Sequence, residues 1–216
     1  MDIVCFIFDR LTALDVVGPY DVLQRLPGAK VTFVGTAAGP VRTENGMLGL
    51  VADASIDDVR SADVLVVPGG IGTRALLHED AVTEWVRAVD ATTTWTTSVC
   101  TGSLVLGAAG LLDGKRATTH WAVLDMLRDF GATPVSERVV EEGKILTAAG
   151  VSSGIDMALR LASYIAGDEV AQAIQLGIEY DPQPPFDTGS VAKAPDHIRE
   201  LAVAGLRRED ERGRSS

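Results

Sequence analysis

The chain has 216 residues, with 19 Lys+Arg against 30 Asp+Glu and so a formal net charge of −11. That charge works against binding to nucleic acid or anionic lipid, both of which are driven by clustered Lys and Arg. Hydrophobic residues at 46% and charged residues at 23% fit a globular chain with one sizeable core, exclude disorder over most of its length, and leave no apolar run near the ~18–20 residues of a membrane span.

Ile3 to Phe8 is a short apolar run rich in β-branched and aromatic residues, followed by helical apolar spacing from Leu14 to Leu26. This predicts strand, then helix. The N-terminus has no basic region ahead of its apolar run and meets Asp9-Arg10 at once, unlike a secretory signal. Val31 to Val34 predicts a second strand, and Gly39 to Ala52, with Glu44-Asn45-Gly46 at its centre, a hairpin turning at Asn-Gly. Asp63 to Val67 is a buried strand stopped by Pro68-Gly69-Gly70, and a helix carrying Ala81, Val82, Trp85, Val86 and Val89 follows. Thr93 to Val99 predicts a strand and Gly102 to Leu111 a helix. Further on, Trp121 to Phe130 reads as helix, Val135 to Val140 and Ile145 to Ala149 as a strand pair across Glu142-Gly143, and Ile155 to Ala166 and Glu169 to Leu176 as two helices. Glu179 to Phe186 contains Pro182, Pro184 and Pro185, which remove backbone donors, so it must run irregularly over the surface. A last helix from Pro195 to Leu206 precedes a polar tail, residues 207–216, expected to be disordered.

Continuous apolar strands alternating with amphipathic helices imply an α/β chain with a mostly parallel sheet covered on both faces. Neither a repeat nor a composition step marks a boundary, so residues 1–206 are expected to form one domain. The tail holds four Arg against three acidic residues, which leaves −12 on that body. Two cysteines, Cys5 and Cys100, are too few for a disulfide framework or a metal cluster of their own. The chain is therefore expected to be cytoplasmic, with at least one free thiol.

In an open parallel sheet the useful crevice lies beyond the carboxyl ends of the strands. Ser98-Val99-Cys100-Thr101-Gly102 arrives there with small residues two before and two after the cysteine, the steric pattern of a nucleophile elbow. A helix starting just after Cys100 would lower its thiol pKa. The alternative is that Cys100 is a small hydrophobe at a strand end, as Cys5 is expected to be within its apolar run. Gly69-Gly70-Ile71-Gly72 matches neither Gly-x-Gly-x-x-Gly nor a Walker sequence; it offers backbone N–H groups to an anionic centre. Asp15, between Leu14 and Val16-Val17, is either a helix N-terminal carboxylate with a capping role, which its position favours, or an acid whose pKa desolvation raises. His120 is read as a capping or packing residue.

Leu14 to Tyr20, Val67 to Gly72, Ser98 to Gly102 followed by Gly107 to Leu112, Ala117 to Trp121, and Gln175 to Pro182 together resemble the ThiJ/PfpI superfamily, and within it the isonitrile hydratase branch. The matches run in order over about residues 3–190. The resemblance implies a flavodoxin-like α/β sandwich that forms a homodimer, with Cys100 as nucleophile, Asp15 as its acid/base partner and Thr101 lining the site. It also moves Asp15 from cap to catalyst. Peptidase-like members carry His directly after the cysteine, where this chain has Thr101, and none of His78, His120 or His197 begins a His-x-Glu pair. Amide hydrolysis, which needs a group to protonate the departing amine, is thereby disfavoured.

Hydration of a small apolar isonitrile needs only one nucleophile and one carboxyl shuttle. Asp15 would take the Cys100 proton and return it to the terminal carbon, giving a thioimidate that water then opens. N–H groups of Gly70, Ile71 or Thr101 would stabilise the adduct, and no cofactor or metal is expected. The alternatives are a glyoxalase or deglycase acting through Cys100, and a ligand-sensing domain related to AraC-type regulators. Too little chain follows Leu206 for the DNA-binding helices of the latter.

Overall fold

The computed structural model describes the backbone of residues 1–214 and side chains through Arg208. In chain order the elements are β1 (Asp2–Phe6), α1 (Ala13–Leu23), β2 (Lys30–Gly35), β3 (Gly39–Arg42), β4 (Gly49–Ala52), β5 (Ala54–Ser55), β6 (Val64–Val67), α2 (Thr73–Leu76), α3 (Asp80–Asp90), β7 (Trp95–Val99) and α4 (Gly102–Ala108). They continue with β8 (Arg116–Ala117), a 3-10 helix (Trp121–Phe130), β9 (Thr133–Pro134), β10 (Val139–Glu142), β11 (Ile145–Ala148), α5 (Ser153–Ala166), α6 (Asp168–Gly177) and α7 (Asp196–Arg214). Among the described residues, no helix is long and apolar enough to cross a membrane.

One seven-stranded sheet runs in the order β10-β11-β7-β6-β1-β2-β5. All its pairings are parallel except β10 against β11. Stripped of its two edges, the order is that of the flavodoxin-like doubly wound fold. The apolar runs read as strands are buried on both faces, with Ile3, Cys5, Phe6, Val64 to Val67 and Leu146 fully inaccessible. β7 is the exception in composition, and its two threonine hydroxyls are absorbed locally. Thr97 Oγ1 donates to the Leu65 carbonyl at 3.0 Å, and Thr96 Oγ1 to Asp90 Oδ1 at 2.6 Å.

Register brings the strand ends into line. Val67 pairs with Ser98, and Val99 with Ala148, so the segments after β1, β6, β7 and β11 all emerge at the carboxyl edge. Close approach there requires glycine at Gly69, Gly70, Gly72 and Gly102. A Cβ on Gly102 would lie 2.1 Å from the Val67 carbonyl oxygen, and one on Gly69 would lie 2.5 Å from the Thr101 nitrogen. Helices α1 and α5 pack against one another beside this edge, with Gly18 of α1 facing Ile155.

Several elements differ from expectation. The hairpin β3–β4 forms, but its connection spans Thr43 to Leu48, turning with Gly46 at φ +73°. The run expected as one helix from Trp121 is a 3-10 helix broken at Val123, whose φ of −131° is not helical. The strand expected from Val135 starts only at Val139; the Val135 N–H donates instead to the Ala117 carbonyl of β8 at 2.9 Å. Helix α2 has four residues, too short for a periodic signal. The final helix was expected to end at Leu206, with 207–216 disordered; it continues to Arg214, through arginine and glutamate residues of high helix propensity. Residues 215 and 216 lie outside the described residues.

Candidate active site

Cys100 sits between the end of β7 and the start of α4 with φ +56°. A left-handed backbone at a non-glycine residue stores on the order of 1–3 kcal/mol, and persists only where surroundings impose it. Here the Cys100 N–H donates to the Ala148 and Ala149 carbonyls at 3.0 and 2.9 Å, and the Cys100 carbonyl accepts from Thr119 Oγ1 at 2.7 Å. The backbone is pinned on both sides. The side chain is 5% exposed, buried but not sealed.

Asp15 lies in the first turn of α1, fully buried. Its carboxyl does not cap its own helix. Oδ2 accepts the Gly69 N–H at 3.0 Å, across 54 residues of sequence. Oδ1 is buried without a conventional hydrogen-bond partner, and the Cys100 thiol is the side chain that interacts with this carboxyl. Burial pushes the Asp15 pKa up to about 7, against the opposing pull of the Gly69 and Cys100 hydrogen bonds and with a smaller push from the negative charge of Glu44. Of the two roles open in the sequence, the structure rejects the cap.

The thiol differs from expectation. A helix N-terminus was expected to favour the thiolate, and the N–H groups of Thr101 and Val151 do act in that direction. Burial and the neighbouring Asp15 outweigh them and hold the thiol well above its ordinary pKa. Near neutral pH the thiol thus keeps its proton while the Asp15 carboxyl beside it titrates. Cys5 is fully buried within β1, and burial alone pushes its pKa up to about 12, so it stays an unreactive core residue.

Thr101 and the glycine loop form a clamp. The Gly70 N–H donates to Thr101 Oγ1 at 2.9 Å, and Thr73 Oγ1 lies 2.7 Å from the Gly70 carbonyl and 3.1 Å from Thr101 Oγ1. The Gly70 N–H, expected to face the substrate, is therefore occupied. Ile71 opens instead onto a cleft of about 640 Å³ walled by Asp9, Arg10, Arg74 and Glu79. Of the three N–H groups expected to stabilise an adduct, that of Thr101 is the one beside the sulfur. His120 accepts the Ala122 N–H through Nδ1 at 3.4 Å, and its ring packs on Gly150. Burial holds its pKa below the ordinary value, which keeps the ring neutral.

Sequence reasoning missed three contributors. Thr73 gave no signal beyond a hydroxyl near a glycine loop. Thr119 lay within a matched motif but without a role. Glu44 sits in the hairpin turn and accepts from Thr12 Oγ1 at 2.6 Å, at the head of α1; only the bridge between Leu11 and Thr43 brings that turn alongside.

A flavodoxin-like sheet with a free cysteine held in a left-handed turn between strand and helix, against a buried carboxyl, defines an α/β class built around a cysteine elbow. The DJ-1/PfpI family model matches residues 1–164, and the chain belongs to that family. It is 45% identical over 205 residues to the isonitrile hydratase of Pseudomonas putida, covering 93% of this chain and 90% of that protein. A crystal structure of a ThiJ/PfpI family protein from Pseudomonas syringae superposes with a TM-score of 0.92 at 36% identity, over 98% of this chain and 88% of that one. The glutathione-independent glyoxalase DJR-1.2 of Caenorhabditis elegans is 26% identical over 74% of this chain and 86% of its own length.

Proposed function

We propose that the protein is an isonitrile hydratase, a hydro-lyase that converts an isonitrile to an N-substituted formamide through Cys100 and Asp15. The observation that carries this reading is the pairing of a buried thiol with a buried carboxyl held near pH 7, with no histidine between them. The similarity to the P. putida isonitrile hydratase over nine-tenths of both chains supports it.

An isonitrile has a terminal carbon that accepts a nucleophile and then a proton. Ionised Asp15 takes the Cys100 proton, the sulfur bonds to that carbon, and Asp15 delivers the same proton to it. The product is a thioimidate, S–CH=N–R, and the carboxylate is restored. Water then gives a proton to Asp15 as its oxygen bonds to the carbon, and that proton passes to nitrogen. The C–S bond breaks, the remaining hydroxyl proton returns to sulfur, and HC(=O)–NH–R leaves. The two steps add one water in total and use one shuttle throughout. The Thr101 N–H faces the sulfur during attack and departure, while the Thr101 hydroxyl positions the glycine loop that holds Asp15.

This assignment fixes the pH dependence. Asp15 must be ionised to take the thiol proton, so kcat/KM should fall about tenfold per pH unit below about 7 and level off above it. A profile with its only break at the higher pKa of a free thiol would exclude Asp15 as the base.

The test of the function is product formation from cyclohexyl isonitrile, with methylglyoxal assayed beside it. Formation of the formamide with no glyoxalase turnover is expected. Methylglyoxal turnover without formamide would replace this reading by the glyoxalase one.

We also propose a cytoplasmic homodimer without nucleic-acid partners. Free thiols at Cys5 and Cys100 suit a reducing compartment, and the net charge of −11 opposes DNA. Leu14 and Val17 of α1 are partly exposed, and on the hairpin, whose turn is bridged to the segment before α1, Met47 is 84% and Val51 62% exposed. Exposed apolar side chains of this kind suit an interface between copies of the chain. Met47→Asp with Val51→Asp should yield a monomer by sedimentation equilibrium; an unchanged mass would place the interface elsewhere.

A further inference from the structure

Two clefts are lined by residues adjoining the segments that hold the Cys100 turn, and their chemistry differs. The cleft beside Ile71 sets four charged residues, Asp9, Arg10, Arg74 and Glu79, beside Phe8, Ala75 and Leu76, and an uncharged substituent packed against those charges would displace water without replacing its hydrogen bonds. The other, of about 280 Å³, is lined by Trp121 and Leu124 of the 3-10 helix, by Val191 and Ala192 near the C-terminus, and by Thr119 and Ala149. Its two charged lining residues are already paired, Glu137 with Arg116 and Arg138 with Asp156. Thr119 and Ala149 are among the residues that hydrogen-bond the Cys100 carbonyl and N–H. Two residues that line the cleft thus also hold the backbone of the elbow.

We infer that this second cleft holds the apolar substituent R of the substrate, with the C-terminal strap around Val191 as its specificity-determining roof. The inference rests on the isonitrile hydratase reading. The strap lies beyond residue 164, where the family match ends, so the shared core supplies the thiol and carboxyl while this segment supplies the wall that selects R. The strap is also tethered at its start. Tyr180 donates its hydroxyl to Asp156 Oδ1 at 2.6 Å, and Asp156 Oδ2 accepts from Arg138 Nε, so the segment is anchored to a residue that lines the cleft. It thus roofs the cleft of its own chain.

Val191→Trp and Leu124→Trp would fill the cleft, and Val191 is half-buried in irregular chain where a larger side chain costs little folding stability. In either variant the ratio of kcat/KM for cyclohexyl isonitrile to that for methyl isonitrile should drop about tenfold or more. Ala75→Trp, which narrows the charged cleft, should leave that ratio unchanged. A second readout stands apart from turnover: alkylation of Cys100 by N-cyclohexylmaleimide should slow by the same factor in Val191→Trp, while alkylation by iodoacetamide should not. Selective slowing without any isonitrile turnover by the wild type would uphold the cleft and overturn the function. Ratios within twofold of wild type in both readouts, or a change in Ala75→Trp instead, would overturn the cleft.

Discussion

Cys100→Ala should lower formamide formation by about three orders of magnitude or more while leaving the protein folded, because no other described group can form the thioimidate. The folded state has little reason to notice the change. The thiol is a small buried side chain, and the hydrogen bonds that pin this turn all run through its backbone. Cys100→Gly should be equally inactive yet unfold at higher denaturant, since glycine relieves the φ of +56° by about 1 kcal/mol or more. Retention of wild-type turnover in Cys100→Ala would remove the covalent mechanism altogether.

Asp15→Asn should cost a comparable factor, because the amide keeps the shape and can still accept the Gly69 N–H but cannot carry a proton back and forth. The double variant should be little worse than either single one, as expected of groups that act as a unit. Stability should move the other way. A carboxyl whose pKa rises from 3.8 in the unfolded chain to about 7 in the folded one binds its proton more tightly when folded. Wild-type stability is therefore fullest below the unfolded pKa and is lost as pH rises through the folded one. Between pH 5 and pH 8 this one group should remove on the order of 3 kcal/mol. Asp15→Asn should lack that loss, so urea titrations at both pH values should show the variant overtaking wild type at the higher one. Parallel losses in the two proteins would mean that Asp15 ionises freely and is no proton shuttle.

The architecture was legible because the strands that matter are continuous apolar runs and the helices between them are amphipathic. Val64 to Val67 and Asp80 to Asp90 each carry their period plainly. The cysteine elbow was legible as a steric rule, with Ser98 and Gly102 on either side of Cys100, and the collision that a Cβ on Gly102 would meet at Val67 is the reason for it. Ionisation was less so. The expected depression of the thiol pKa followed from the helix that comes next, whereas the structure buries sulfur and carboxyl together, a fact of tertiary packing that no local pattern carries. Asp15 is the same case reversed. Its place in a helix start suggested a cap, and only the glycine loop 54 residues away shows where the carboxyl points. Contacts through hydroxyls, such as Thr73 and Thr101 on Gly70 or Thr119 on Cys100, leave no periodic trace at all. The long helical tail was underestimated for a different reason: a charged segment without an apolar stripe reads as unstructured, although arginine and glutamate are good helix formers.

Cys100 is expected to bond to the isonitrile carbon, with Asp15 supplying its proton. Acid quenching of the wild-type enzyme during turnover of cyclohexyl isonitrile, followed by mass spectrometry of the Cys100 peptide, tests it most directly. In deuterated water that peptide should gain the mass of one isonitrile, with a non-exchanging deuterium on the former terminal carbon in place of the thiol hydrogen. Formamide produced at full rate with an unmodified Cys100 peptide throughout would contradict it.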